Sequence, residues 1–281
     1  MGSIPLADEP TDITINQNTK LAYVTEYNGT MQVLNLNTNQ VVTTIQGDFH
    51  GKAAVNPTTN YVYVADSDGQ HLDVINAATN TVVAQIPTLG APYSVAVNPV
   101  TNKIYVSETD QNGAGYVQVI DGATNQVIKT IPGFDQAYRI AVNPNTNKVY
   151  VTSENPNYVN SANASLLTTI DGASDTISNQ QQFQGYIYEG DIAVDTVNNQ
   201  VTVASSYSSG NTFLFDGNGN LVRRINNGSY YNDVYGAAVN PETGNTYEAS
   251  QSTGLSIFNP DGNEMQVIPA PCAAAVDVTN L

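Results

Sequence analysis

A short apolar run closed by Asn or Asp recurs along the chain, and nothing else in the sequence limits its fold as strongly. The copies are "ITIN" ending at Asn16, "AAVN" at Asn56, "VAVN" at Asn98, "IAVN" at Asn143, "IAVD" at Asp195, "AAVN" at Asn240 and "AAVD" at Asp277. The spacing of roughly 40 to 50 residues, with apolar residues alternating at period two between copies, predicts stacked sheet units rather than helical repeats.

The third unit shows the local logic. "VAVN" is made of small and β-branched residues, as an innermost strand near a crowded axis must be. In "NPVTNK", Pro99 fixes φ at the second turn position, and Asn102 tolerates positive φ. "KIYVS" and "YVQVID" alternate as second and third strands, "DGATNQ" is a second turn, and "VIKTI" is the outer strand. Four antiparallel strands make one twisted blade. A single blade cannot bury both faces, so neighbours must stack and the ring must close.

The segments "AYVTEYNGTMQVLNLNTNQVVTTI", "VYVADSDGQHLDVINAATNTVVAQI" and "IYVSETDQNGAGYVQVIDGATNQVIKTI" resemble the YVTN-repeat family of β-propellers. The resemblance weakens in "VTVASSYSSGNTFLFDGNGNLVRRI" and "TYEASQSTGLSIFNPDGNEMQVI". It implies a propeller found mostly in secreted or surface proteins, and it implies no single activity, because the fold hosts many. The chain has no Trp, which removes the signature of WD repeats and the docking motifs of quinoprotein dehydrogenases.

The expectation is therefore one all-β propeller over residues 1–281. Residues 1–12 form a leader or closure segment, and blades begin near 13, 53, 95, 140, 192 and 237. Residues 273–281, containing "AAAVDV", form a closing strand. Six blades are favoured, with seven the alternative.

Composition narrows the function. A net charge of −17 with only eight Lys and Arg repels phosphate backbones, which argues against nucleic acid as a partner. The charged fraction is 12%, about half the usual one. Asn, Thr, Gln and Ser take the place of Lys and Glu, as in secreted and cell-surface proteins, and such a surface also suits an acidic medium. No stretch approaches about 18 apolar residues, so no spanning helix is expected. The opening "MGSIPLADEP" lacks a basic segment followed by an apolar one, so no signal peptide is read there. Extracellular, cell-surface or periplasmic placement would then need a leader already removed. The lone Cys272 permits no internal disulfide.

In this strand order the two short turns of each unit lie on one face, and the loops that vary lie on the other. Function is expected on the variable-loop face, around the axial opening. Two rings of residues follow from register. One ends the second strands and holds Glu26, Asp66 and Glu108, followed by Ser153, Ser206 and Ser250. Its oxygen-only ligands suit Ca²⁺ better than zinc, and the competing reading is a solvated acidic rim. The second precedes the inner strands and holds Asp12, Lys52, Ser94, Arg139, Asp191 and Gly236, with Tyr93, Tyr138 and Tyr235 one residue earlier. Lys52 and Arg139 could hold a carboxylate or phosphate there, with the three Tyr as flat contact surface. The competing reading is a channel plugged by pairs such as Lys52–Glu189 and Arg139–Asp191.

Catalytic signals are thin. His50 in "GDFHGK" shares a face with Asp48, and Glu189 stands near the mouth; no G-x-S-x-G or zinc-protease motif is present. The favoured reading is a binding or interaction scaffold for a small molecule, glycan or protein. The alternative is a Ca-type, metal-assisted hydrolase, lactonase or lyase at the same mouth. Self-association through the terminal strand, and partner contact through the insert "SENPNYVNSANASLL", are further expectations.

Overall fold

The computed structural model of the protein describes residues 4–157, 164–206, 211–226, 234–250 and 254–269, with only the backbone described for Tyr186, Tyr188, Glu189, Ser206, Asn226 and Tyr235. Residues 273–281, Cys272, and residues 158–163 of the insert lie outside them. The described residues form strands and turns without a helix, so no helix among them is long and apolar enough to cross a membrane.

The first unit folds as β1 (Pro10–Asn16), β2 (Leu21–Glu26), β3 (Met31–Asn35) and β4 (Gln40–Ile45), and the second as β5 (Ala53–Asn56), β6 (Tyr61–Asp66), β7 (His71–Asn76) and β8 (Thr81–Pro87). Each is an antiparallel meander in chain order. The fifth unit, β16 (Tyr186–Asp195) to β19 (Leu221–Asn226), and the sixth, β20 (Val234–Val239) to β23 (Glu264–Ile268), repeat that order.

The third and fourth units share one seven-stranded sheet, because β12 (Gln126–Asn143) belongs to both. Its first half pairs with β11 (Ala114–Asp121), and its second half with β13 (Lys148–Glu154). Register shifts after Asp135, with Gln136 at φ 47°, let the strand turn from the outer edge of one unit to the inner edge of the next.

Apolar side chains from both faces of each sheet pack between consecutive units. Tyr23, Met31 and Ile45 meet Val62, Val64 and Ile75 between the first and second units. Tyr138, Tyr150 and Leu167 meet Val203, Phe213 and Phe215 between the fourth and fifth. The outer strands carry their excess Val and Leu to solvent, as at Val42, Val83 and Val222.

Three side-chain devices tie one unit to the next, and they explain the repeated letters. The Asn closing each inner strand accepts two backbone N–H groups of its own turn, as Asn98 Oδ1 does from Val100 (3.0 Å) and Thr101 (3.3 Å). Its Nδ2 then donates to the turn Asn of the following unit: Asn16 to Asn60, Asn56 to Asn102, Asn98 to Asn147 and Asn143 to Asn199, at 2.7–3.0 Å. Those receiving Asn residues have φ between 52° and 58°, the left-handed conformation that Asn tolerates.

The ladder stops at Asp195, which has no amide to donate and faces Gly244 (φ 70°) where the receiving Asn stood before. The Tyr of each "YV" is the second device. Its hydroxyl reaches the next unit's outer turn, from Tyr63 to Asn125 Oδ1 (2.7 Å), Tyr105 to Asp175 Oδ1 (3.1 Å) and Tyr150 to Gly217 O (2.8 Å). Burial pushes the Tyr63 and Tyr150 hydroxyls up to about 12. In the fifth unit Thr202 stands in the Tyr position, and a cavity lined by Thr202, Gly244 and Phe258 opens between the fifth and sixth units. In the fifth unit Asp195 and Thr202 replace the Asn and Tyr letters, and the signature fades there together with the inter-unit bonds those letters make in the units before it.

Candidate functional site

Inner-strand residues of all six units line one channel: Asp12, Lys52, Ser94, Ile140, Asp191 and Ala237 among them. The third inter-unit device sits here, four residues before the Asn or Asp that closes each inner strand. Asp12 Oδ2 accepts the Ala53 N–H of the next unit at 2.8 Å, Ser94 Oγ accepts that of Ile140 at 3.4 Å, and Asp191 Oδ2 accepts that of Ala237 at 3.0 Å. Acceptor side chains thus occupy the first, third and fifth units. The second, fourth and sixth carry Lys52, Arg139 and Gly236, which cannot accept, and their following amides are the ones served. This alternation places both cations of the ring among acceptors.

Lys52 Nζ lies 3.1 Å from Asp12 Oδ1 and 3.1 Å from Asp191 Oδ2, with all three side chains at most 15% exposed. Burial works against the Lys52 ammonium, but Asp12 and Asp191 together outweigh it and hold its pKa above the ordinary lysine value. One ammonium cannot neutralise two carboxylates, and burial pushes Asp12 up, with Lys52 only partly opposing it. The triad crosses the channel, joining the second unit to the fifth. The anticipated plug exists, but with other partners: Lys52 takes Asp12 and Asp191, while Arg139 Nε donates to Gly190 O at 2.8 Å. The Glu189 side chain lies outside the described residues.

A mouth cavity of about 480 Å³, open to solvent, shares Asp12 and Lys52 with the triad and is lined further by Tyr27, His50, Ser67, Pro92, Tyr93 and Arg139. Arg139 is half-buried, and among the described residues its terminal nitrogens meet no hydrogen-bond or ion-pair partner. Tyr93 lines the cavity. Tyr138 does not: it is 1% exposed in the core, its ring 5.6 Å from that of Tyr93 at 74°, its hydroxyl 2.8 Å from Gln136 Oε1. Tyr138 buttresses Tyr93, and the flat surface at the mouth belongs to Tyr93. The side chain of Tyr235 lies outside the described residues. His50 Nε2 is 2.6 Å from Asp48 Oδ1, at the cavity rim.

The first ring does not gather around one point. Glu26 Oε1 accepts the N–H groups of Ala7 and Asp8, both at 3.0 Å, and Oε2 accepts the Thr30 hydroxyl at 2.6 Å. Glu108 Oε2 accepts those of Leu89 (2.6 Å) and Gly90 (3.2 Å), while its buried Oε1 meets no partner among the described residues. Burial raises the Glu108 carboxyl to about 7, although both backbone bonds oppose the shift. Glu26 and Glu108 are therefore staples that pin the chain entering their own units. Asp66 does something else. Its Oδ1 accepts Gly69 N–H at 2.7 Å, and Oδ2 lies 3.2 Å from His71 Nε2.

Among the described residues, the His and carboxylate groups close enough to share an ion are Asp48–His50–Asp68 and Asp66–His71–Asp73. Neither Glu26 nor Glu108 belongs to either. Sequence reasoning passed over His71 and Asp73. The signal that could have found them is hairpin register: Asp66 stands opposite His71, and Asp73, two residues on, shares its face.

No family model matches the chain, and no curated protein matches it. Among solved structures, a chain of Kuenenia stuttgartiensis hydrazine synthase is similar with a TM-score of 0.81 at 13% identity, covering 96% of this chain and 89% of that one. Together with the repeated sheets around one channel, this likeness supports a β-propeller; at that identity it speaks to fold alone.

Proposed function

We propose that the chain is a six-bladed propeller of the YVTN-repeat kind, exported from the cell, that binds a small anionic ligand at its channel mouth and acts as a binding scaffold. Six blades follow from counting the shared seven-stranded sheet as two. The Lys52–Asp191 pair is compatible with that ring, in which second and fifth units are opposite one another. YVTN membership rests on the quoted repeats and on the Asn ladder and Tyr struts that give those letters a role. Export rests on the neutral polar surface.

Arg139 carries the ligand reading. Lys52 is consumed by two carboxylates, so its charge is spent within the channel wall. Arg139 is half-buried, its forked terminal nitrogens meet no protein group among the described residues, and Tyr93 lines the same cavity. A guanidinium so placed suits a carboxylate or phosphate bidentately, and the ring beside it suits a flat apolar body. The protein's many distant carboxylates are screened beyond about 8 Å at physiological salt, so they do not forbid it. A thermal-shift screen of aromatic carboxylates and phosphates, followed by calorimetry, tests this. A micromolar binder is expected to lose at least about 30-fold in affinity in Arg139→Ala. The reading is refuted by the absence of any anionic binder, or by one indifferent to that substitution.

The second reading, metal-assisted hydrolysis at the mouth, has one observation behind it: Asp48, His50 and Asp68 lie within 4.8 Å of one another by their ligand atoms, and His50 lines the cavity. It predicts ester or lactone hydrolysis that EDTA abolishes and His50→Ala removes.

A further inference from the structure

Away from the mouth, on the β6–β7 hairpin, four side chains converge on one point. Asp66 ends β6, His71 and Asp73 share a face of β7, and Gln85 stands opposite Asp73 on β8. His71 Nε2 is 3.2 Å from Asp66 Oδ2, 3.4 Å from Asp73 Oδ1 and 2.8 Å from the Gln85 amide, which is itself 3.1 Å from Asp73 Oδ1. Both carboxylates are at least nine-tenths buried, at 4% and 3% exposure.

His71 is held from its far side: Nδ1 is 2.9 Å from Gly69 O, an acceptor, so Nδ1 carries a proton. Its Nε2 is thereby turned toward both carboxylates and the Gln85 amide. Beyond His71, Asp66 Oδ2 meets no hydrogen-bond donor among the described residues, since Gly69 N–H is taken by Oδ1. Two buried carboxylates and an imidazole nitrogen thus converge beside the Gln85 amide, close enough to share one cation. The second element of a metal site is already present: an imidazole held by a backbone carbonyl through the nitrogen that does not ligate.

The spacing fits one class of ion. Donors at about 2.0–2.1 Å from a tetrahedral centre lie about 3.3–3.4 Å from each other; the two His71–carboxylate separations are close to that edge, and the two carboxylates lie within 4.8 Å of one another. One imidazole with two carboxylates suits a divalent transition ion such as Zn²⁺, and the nitrogen donor disfavours Ca²⁺. Turning the Gln85 amide over would offer its oxygen as a fourth donor, since amide nitrogen and oxygen are interchangeable in such a setting. Gly69 leaves the room: a Cβ there would lie 2.5 Å from Asp66 Oδ2 and 2.3 Å from His71 Cε1.

We infer that Asp66 Oδ2, His71 Nε2 and Asp73 Oδ1 bind a divalent transition-metal ion of the Zn²⁺ type, bracing the turn whose Ser67 borders the mouth. Calorimetry of EDTA-stripped, dialysed protein with Zn²⁺ is expected to show one site of micromolar or tighter affinity. Co²⁺ should give the visible bands of a four-coordinate centre in the wild type, a readout that needs no variant. His71→Gln and Asp73→Asn, checked for folding by circular dichroism, should each weaken Zn²⁺ binding by about 100-fold or more, while His50→Gln leaves it unchanged. The inference is overturned by wild-type protein that takes up neither ion, by binding that survives His71→Gln, or by loss of binding in His50→Gln. NMR finding His71 doubly protonated near neutral pH, with no response to Zn²⁺, would equally end it, because a proton would then fill the place given to the metal.

Discussion

Glu108 offers the sharpest test of how this fold is held. Its side chain is fully buried, one oxygen accepts the amides of Leu89 and Gly90, and the other meets no partner among the described residues. Burial lifts its carboxyl from 4.5 to about 7. A carboxyl raised in the folded state contributes stability that is fully present below pH 4.5, and this contribution is lost as pH climbs through 7. The difference, 7 minus 4.5, corresponds to roughly 3 kcal/mol at about 1.4 kcal/mol per pH unit, in order of magnitude.

Glu108→Gln keeps an oxygen for the two amides and cannot ionise. Urea unfolding of both proteins from pH 5 to pH 8.5 should therefore show the wild type losing about 2.5 kcal/mol relative to the variant across that range, part of the contribution being already lost at pH 5. Taking the difference cancels His50 and His71, which both proteins share. The turn carboxylates of Asp121, Asp171 and Asp216, held low chiefly by backbone amides or by Asn220, lose their contribution only below about pH 3.8, outside the window. A difference that stays constant across the range would show that Glu108 titrates normally, and would refute the argument from burial.

Three further outcomes follow from the devices between units. Asn98→Ala removes two turn bonds and one rung of the Asn ladder, and should cost about 2–4 kcal/mol in chemical denaturation. Combined with Asn147→Ala it should show a coupling of about 1 kcal/mol, and strict additivity would mean that the rung contributes nothing. Lys52→Met leaves Asp12 and Asp191 buried without their cation and should destabilise by about 3–5 kcal/mol near neutral pH. The melting temperature should partly recover in acid as those carboxyls take up protons; a deficit that does not change with pH contradicts the triad. Tyr63→Phe loses only the bond to Asn125 and should cost about 1 kcal/mol, whereas an unchanged midpoint would show the hydroxyl to be idle.

Much of the architecture is encoded within a few residues of where it appears. The alternation in "KIYVS" and "YVQVID" becomes β10 (Lys103–Thr109) and β11, and the Asn expected to accept positive φ does so at Asn60, Asn102, Asn147 and Asn199. These outcomes depend on local sterics and on turn chemistry, so the sequence determines them unaided. Register along a hairpin is nearly as local, which is why the ring positions of Asp12, Lys52, Ser94, Arg139 and Asp191 could be aligned before any coordinates.

Partner choice is not local. Whether Lys52 reaches a carboxylate of the fifth unit at all depends on which units face one another across the channel. That Tyr138 turns into the core while Tyr93 lines the mouth depends on the bulge that redirects β12 between sheets. Glu26 and Glu108 look like ligands in a sequence and are staples in the structure, because a carboxylate's role is set by which donors surround it. Asp66 has the same letter class and position yet faces a histidine instead. Strand patterns and turns are properties of neighbouring residues; the pairing of charges across an axis exists only once sheets distant in the chain have closed around it.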